Sequence, residues 1–283
     1  MQSLSHILFT LFSILFAAHC QSDESKSAGA QMQTVDENKI RHGKPLTSIV
    51  KYPFMATVWQ NDRKLCTASI VSPNYILSAG HCFVKMSEEN YIILVGTVNA
   101  KLEKGNGQQF KVEKAHVYSE TVFGQDIAIV KASGGKCQKG RKLKNSIDFA
   151  DNATQPITLS RRSNFTKTDL AFIAGWGRIT DWSSPVTLQG ANVLIWPKDE
   201  ARCDGIMESE VCAFGEDGAN VCFGDSGGPL LVKSYDGQRW EQIGVTSRGN
   251  FVCESNGFFS CVYIYCEWLA KITEGEVQCL NNE

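Results

Sequence analysis

Histidine is scarce in this chain, with five in 283 residues, and charge is nearly balanced at a formal −2. That balance excludes the broad electrostatic attraction on which binding to nucleic acid or to an anionic membrane depends. Beyond the first twenty residues no apolar run is long enough to cross a bilayer. No Cys-x-x-Cys pair or His-x-x-x-His spacing offers a zinc site. Any recognition must therefore be local, and the chemistry has to be sought in short motifs.

What is present begins with an apolar stretch, His6 to Ala18, too short to span a membrane comfortably and followed by small residues. It reads as a cleaved secretory signal over residues 1–20, although the usual lysine or arginine ahead of the apolar core is lacking. Eleven cysteines agree with export to an oxidising compartment, so a secreted, extracellular protein is expected. Residues 21–39 are polar and poor in large apolar side chains, which marks a leader that builds no core. From residue 40 onward, short β-type runs such as Phe54–Trp59, Tyr91–Val95 and Ile127–Val130 alternate with Gly, Asn, Asp and Pro turns, the pattern of a barrel or sandwich. A basic stretch holding Lys136, Lys139, Arg141, Lys142 and Lys144 reads as a solvated loop. Trp268, Leu269 and Ile272 stand at helical spacing and predict a C-terminal helix over residues 266–277.

The most informative segment is Cys-Phe-Gly-Asp-Ser-Gly-Gly-Pro-Leu, residues 222–230. A serine flanked by glycines on a sharp turn exposes its hydroxyl and leaves neighbouring N–H groups free for a developing oxyanion. Ser226 is thus a candidate nucleophile. It needs a base, and of the five histidines only His81 ends a strand-like run, Tyr-Ile-Leu-Ser-Ala-Gly-His-Cys, beside a cysteine that can pin the backbone. The base in turn needs a carboxylate, and Asp126 in Gly-Gln-Asp-Ile-Ala-Ile-Val is a charge among apolar residues whose burial requires a partner.

Together these motifs resemble those of the secreted chymotrypsin-like, trypsin-fold serine endopeptidases, in the family's order His, Asp, Ser. The resemblance runs from about Ile40 to the C-terminus, and Gly175-Trp176-Gly177, Val245-Thr246-Ser247 and Trp268 also fall at matching places. It implies an all-β fold of two packed antiparallel barrels with a C-terminal helix, and domain bounds of 40–283 after the signal and leader. It implies that Ser226 attacks, that His81 serves as general base and then acid, that Asp126 orients the imidazole and that Ser247 supports Asp126. The N–H groups of Gly224 and Ser226 would form the oxyanion hole, where losing one donor costs about 100- to 1,000-fold in rate. Such chemistry calls for no metal and no organic cofactor. Partners would be protein or peptide substrates and an activating protease, with the chain acting as a monomer.

The resemblance also implies disulfides Cys66–Cys82, Cys203–Cys212 and Cys222–Cys253. Cys20 would leave with the signal, so Cys137, Cys261, Cys266 and Cys279 remain, with three connectivities open. Asn152 and Asn164 begin motifs that accept N-linked glycans. Lys39-Ile40 stands where the family is cut, and a freed Ile40 ammonium would pair with Asp225, a contact whose loss costs about 3–5 kcal/mol when buried. Arg41 and His42 occupy positions that are small or aliphatic in the family, and Thr158 stands where a tethering cysteine would hold the leader, so the leader is expected to be released.

For specificity, Asn220 takes the pocket-floor position, with Val221 beside it and Phe223 near the rim. A floor without a carboxylate leaves a buried substrate cation uncompensated, so cleavage after Arg or Lys is disfavoured. Gly249 and Gly257 match the wall positions that leave the pocket open and deep, which points to large apolar or aromatic residues. Arg248 replaces a tryptophan at the neighbouring subsites and reads as a flexible cation favouring acidic residues upstream of the cut. A protease homologue that no longer cuts and instead binds a partner is the competing class. An esterase built on Gly-x-Ser-x-Gly is disfavoured because the histidine precedes the serine.

Overall fold

The computed structural model describes residues 40, 42–84, 91–119, 124–134, 146–167, 169–180, 183–250, 252–254 and 256–280. The expected signal and leader, Arg41, Cys137 and the five basic residues from Lys136 to Lys144 lie outside the described residues.

The strands in chain order are β1 (Lys44–Pro45), β2 (Met55–Gln60), β3 (Arg63–Ile70), β4 (Tyr75–Ser78), β5 (Tyr91–Val95), β6 (Gln108–Val117), β7 (Ala128–Ser133) and β8 (Thr158–Ser160). They continue with β9 (Leu170–Gly175), β10 (Gln189–Trp196), β11 (Glu210–Phe214), β12 (Pro229–Lys233), β13 (Trp240–Gly249), β14 (Gly257–Cys261) and, after helix α1 (Val262–Ile272), β15 (Cys279–Leu280). Two closed six-stranded antiparallel barrels result: β2-β3-β4-β7-β6-β5, then β12-β9-β10-β11-β14-β13 closed by pairing of β12 with β13. The all-β double barrel that the resemblance implies is therefore the fold.

Local sequence explains the first barrel. Asn61 and Asp62 both take positive φ, 48° and 59°, which suits the tight hairpin joining β2 to β3, since these side chains tolerate the left-handed region. Along β6, Phe110 and Val112 are buried while Lys111 and Glu113 are exposed, the two-residue alternation of a strand with one face on a core. The barrels meet through aromatic rings: Tyr52 stacks on Phe172 and Phe172 on Trp240, each at 5.4 Å between centroids. Buried Ser69 donates to Gln242 across the same junction at 2.6 Å.

Two expectations need correction. The strand reading of Ile127–Val130 extends to Ser133, and the helix begins at Val262 rather than at residue 266 and ends at Ile272. It starts early because the apolar run continues without a turn residue from the end of β14. It stops where the Thr273 hydroxyl donates to the Leu269 carbonyl at 2.7 Å and Gly275, at φ 85°, donates to the Ala270 carbonyl. Tyr265 and Trp268 both meet Tyr118 edge-on, so the helix touches the first barrel as well as β13 and β8 of the second.

Cys66–Cys82, Cys203–Cys212, Cys222–Cys253 and Cys266–Cys279 are disulfides. The last fastens α1 to β15. Cys261 is a free, buried thiol that burial pushes up to about 12, which keeps it protonated and inert.

Candidate active site

Ser226 sits on a turn closed by Asp225 N–H to the Cys222 carbonyl at 2.9 Å and Gly228 N–H to the Asp225 carbonyl at 2.8 Å. Gly224 and Gly227 take φ of 99° and 83°, and a side chain at 227 would run into the Ser78 hydroxyl and the Thr67 carbonyl. Among the described residues the N–H groups of Gly224 and Ser226 have no hydrogen-bond acceptor. Two amides at the serine are thus without an acceptor among the described residues, an arrangement able to receive a developing negative charge.

His81 lies in a single helical turn, Gly80–Cys82, that begins two residues after β4. Its Nδ1 is 2.7 Å from Asp126 Oδ2, and its backbone N–H donates to Asp126 Oδ1 at 2.8 Å. Ser247 donates a third bond to Oδ2 at 2.6 Å, and the Ser260 hydroxyl holds the Asp126 carbonyl at 2.8 Å. Burial alone would raise the Asp126 carboxyl. The bonds and charge of His81, with Ser247, outweigh it and hold the group below its ordinary value. A carboxylate so fixed selects the imidazole tautomer with Nδ1 protonated and leaves Nε2 as the acceptor.

The His81 ring also lies against the Cys66–Cys82 disulfide, with a ring nitrogen and both sulfurs within 4.8 Å of one another; those sulfurs are bonded to each other, so the cluster is no metal site. Cys82 Sγ is 4.0 Å from the Ser226 carbonyl oxygen. Motifs 45 and 144 positions apart in sequence thus meet at one place.

β3 supplies contacts that the motifs do not announce. Thr67 donates its N–H to the Ser226 carbonyl and its hydroxyl to the Gly224 carbonyl, both at 2.9 Å. Asp225 is fully buried, accepting from Gly177 N–H at 2.7 Å and Cys222 N–H at 2.9 Å, and burial raises its carboxyl to about 6. Ile40 is 1% exposed and packs with Ile173, Val193 and Val221 in the second barrel.

At the positions that the resemblance assigns to specificity, the Asn220 amide is spent internally: Nδ2 donates to the Asn256 carbonyl and Oδ1 accepts from Val221 N–H, both at 2.9 Å. A side chain at Gly257 would stand 3.0 Å from Asn220 Oδ1, and one at Gly249 2.8 Å from the Asn256 carbonyl, so glycine at both avoids crowding these oxygens. Phe223 is exposed, with the Arg178 guanidinium 5.2 Å from its ring centre.

Arg248 requires a correction. It is no flexible cation, because Nε and Nη2 make a two-pronged pair with Glu210 at 2.9 and 2.5 Å, Nη2 also donates to the Gly205 carbonyl, and the guanidinium lies 3.9 Å over Phe258. Sequence reasoning does not find Glu210, Thr67 or Lys64, whose Nζ donates to the Trp176 carbonyl. Each is a lone residue without motif context, and only the fold supplies its partner.

A family model described as trypsin matches residues 40–269. The chain belongs to the trypsin family of serine proteases. It is similar to chymotrypsin-2 of Vespa crabro, 27% identical over 227 residues that make up 78% of this chain and 94% of that protein. It is likewise similar to kallikrein-8 of Homo sapiens, 28% identical over 234 residues, covering 78% and 81% of the two chains. Coagulation factor XI of Bos taurus is 29% identical over 274 residues, 90% of this chain and 40% of that longer one. Among the described residues of this trypsin-family chain no helix is long and apolar enough to cross a membrane.

Proposed function

We propose that the chain is a secreted serine endopeptidase, made as a zymogen, that hydrolyses peptide bonds through an acyl-enzyme. The observation that carries this reading is the His81–Asp126 contact at 2.7 Å, with Ser247 as a further donor to the same carboxylate. Ser226 Oγ attacks the substrate carbonyl carbon while His81 Nε2 takes its proton. The carbonyl oxygen becomes an oxyanion received by the N–H groups of Gly224 and Ser226, and His81 returns the proton to the departing amine. Water then repeats the sequence on the ester and frees Ser226. Asp126 stabilises the imidazolium in both halves without itself taking the proton.

The neutral, internally bonded Asn220 favours cleavage after large apolar or aromatic residues, since a substrate cation buried there would find no counter-charge. Residues 1–20 act as the signal, 21–39 as the leader, and 40–283 as the protease domain. Cleavage after Lys39 by another protease frees the Ile40 amine to pair with Asp225, and the Ile40 side chain packs in the second barrel. Asn152 and Asn164, both exposed, are the glycan acceptors.

The test is labelling by a serine-directed phosphonate before and after cleavage at Lys39, with Ser226→Ala as control. Labelling that needs Ser226, together with turnover of peptides after Phe, Tyr or Leu, supports the reading. A cleaved, folded chain that takes no label is a binding homologue instead.

A further inference from the structure

Asparagine followed by glycine loses its side-chain amide readily, because glycine has no side chain to keep its own nitrogen away from the asparagine Cγ. The chain holds two such pairs, Asn106-Gly107 and Asn256-Gly257. The fold treats them differently. Gly257 is buried in β14, paired with Ala213 on one side and Gly249 on the other, so the backbone there is fixed within a sheet. Asn106 lies between two exposed glycines just ahead of β6, and a side chain at Gly105 would meet nothing within 4 Å. Glycine is also obligatory after Asn106: position 107 takes φ 65°, and a Cβ there would strike the Val95 carbonyl. The turn into β6 therefore builds the reactive dipeptide by necessity.

The Asn106 amide has a structural task. Nδ2 donates to the Asn99 and Lys101 carbonyls, and Oδ1 accepts from the Thr97 hydroxyl, all at 2.7 Å. Thr97 Oγ1 accepts in turn from Asn99 N–H at 3.0 Å. The stretch so held, Val98 to Ala100, is a strap by which the first barrel reaches the second. The Val98 carbonyl accepts from Leu188 N–H and Trp176 Nε1, and Ala100 N–H donates to the Val186 carbonyl, each at 2.8 Å.

We propose that Asn106 is a site of spontaneous deamidation, guarded by its own hydrogen bonds, whose conversion to aspartate loosens the strap between the barrels. The inference goes beyond the protease reading and does not depend on it. The Gly107 nitrogen bonds to Asn106 Cγ; the Cγ–Nδ2 bond breaks, and Nδ2 leaves as ammonia with the proton of the Gly107 N–H. Water then opens the resulting cyclic imide at either of its carbonyl carbons, leaving aspartate or an isoaspartyl linkage, with nothing oxidised or reduced. A carboxylate at 106 has no hydrogen to donate, so the Asn99 and Lys101 carbonyls lose their shared donor and face a negative charge instead. The reaction requires Asn106 to swing away from those carbonyls, so it proceeds through local opening of the loop.

The experiment incubates the full, folded chain at mildly alkaline pH and follows amide-to-acid conversion by peptide mapping and mass spectrometry. The expected result is acid accumulating at Asn106 while Asn256 stays an amide, and similar conversion of both in urea, where the fold no longer separates them. Thr97→Val removes the hydroxyl that holds Oδ1 and should convert about 2- to 10-fold faster, the effect of one hydrogen bond on the opening equilibrium. Thr97→Ser keeps the hydroxyl and should convert at the parent rate. Asn106→Asp is the product made directly. Its folded-to-unfolded ratio, from urea titration, should fall about 5- to 30-fold, and hydrogen exchange at the Ala100 and Leu188 amides should quicken.

The proposal is overturned if the folded chain keeps Asn106 as an amide while the chain in urea converts it, or if Asn256 converts as fast as Asn106 in the folded chain. It is also overturned if Thr97→Val converts at the parent rate, or if Asn106→Asp leaves exchange at Ala100 and Leu188 unchanged.

Discussion

Two charged contacts meet neighbouring residues of β13, Ser247 and Arg248, and they differ in how water reaches them. His81 meets Asp126 at 2.7 Å with side chains 48% and 19% exposed, whereas Arg248 meets Glu210 at 2.5 Å with side chains 25% and 0% exposed. In the first pair one partner is an imidazole half in solvent, a side chain that can carry a proton on either ring nitrogen. In the second, a permanently charged guanidinium closes over a carboxylate that water does not touch. A short ion pair at a cleft is therefore not evidence of chemistry by itself. Exposure and side-chain type separate the pair beside the candidate nucleophile from the one that is purely a packed contact.

The largest effect expected from breaking this contrast is on rate. Asp126→Asn leaves the shape of the contact but offers an amide that favours the wrong imidazole tautomer, and kcat should fall about 10,000-fold. The loss should be read with a small amide substrate against a folding control by circular dichroism. The variant also has a pH signature. Asp126 is held below its ordinary 3.8, so its contribution to stability is present above that value and fades as pH falls through the lower folded value. Urea midpoints measured from pH 5 to pH 2 should fall for the wild type and fall less for Asp126→Asn.

Next comes stability. Glu210→Gln leaves Arg248 over Phe258 without its carboxylate, and breaking a buried pair costs about 3–5 kcal/mol. The lower end is expected, because Arg248 keeps part of its surface in water. Equilibrium urea unfolding measures this, and a change under about 1 kcal/mol would mean that the pair contributes no more than a surface one.

The same contrast explains what could be read from sequence. Ser226, His81, Asp126 and Ser247 each sit in a run of neighbours whose pattern carries meaning: glycines around the serine, a strand ending at the histidine, apolar residues after the aspartate. The short runs likewise gave β2, β5 and β7 to within a few residues. Glu210 shows the limit. In Glu-Ser-Glu-Val-Cys it looks like a surface acid ahead of a strand, yet it is fully buried and its partner lies 38 positions away. Lys64 is another such case, since no motif surrounds it and only barrel packing brings that lysine to the Trp176 carbonyl. A lone charge announces its sign but not its partner, and Arg248 was misread for that reason.

The smallest effect expected is also the one that separates the two readings of Arg248. A flexible cation at the upstream subsites would draw acidic substrates, and its removal would cost them binding. A guanidinium already neutralised by Glu210 has little field to offer. Removing Arg248 alone is the wrong experiment, because it strands a buried carboxylate and confounds stability with recognition. The double variant Arg248→Leu with Glu210→Leu removes both charges and, as with other buried pairs replaced by apolar side chains, should regain most of the stability lost in Glu210→Gln. Peptide libraries varied between Glu and Gln upstream of the cut should then change in preference by less than about fivefold, the most that an exposed pair of about 1 kcal/mol would supply. A larger loss of acidic preference would mean that Arg248 leaves Glu210 when substrate binds, and the contrast between a half-exposed pair and a covered one would then hold only in the unliganded protein.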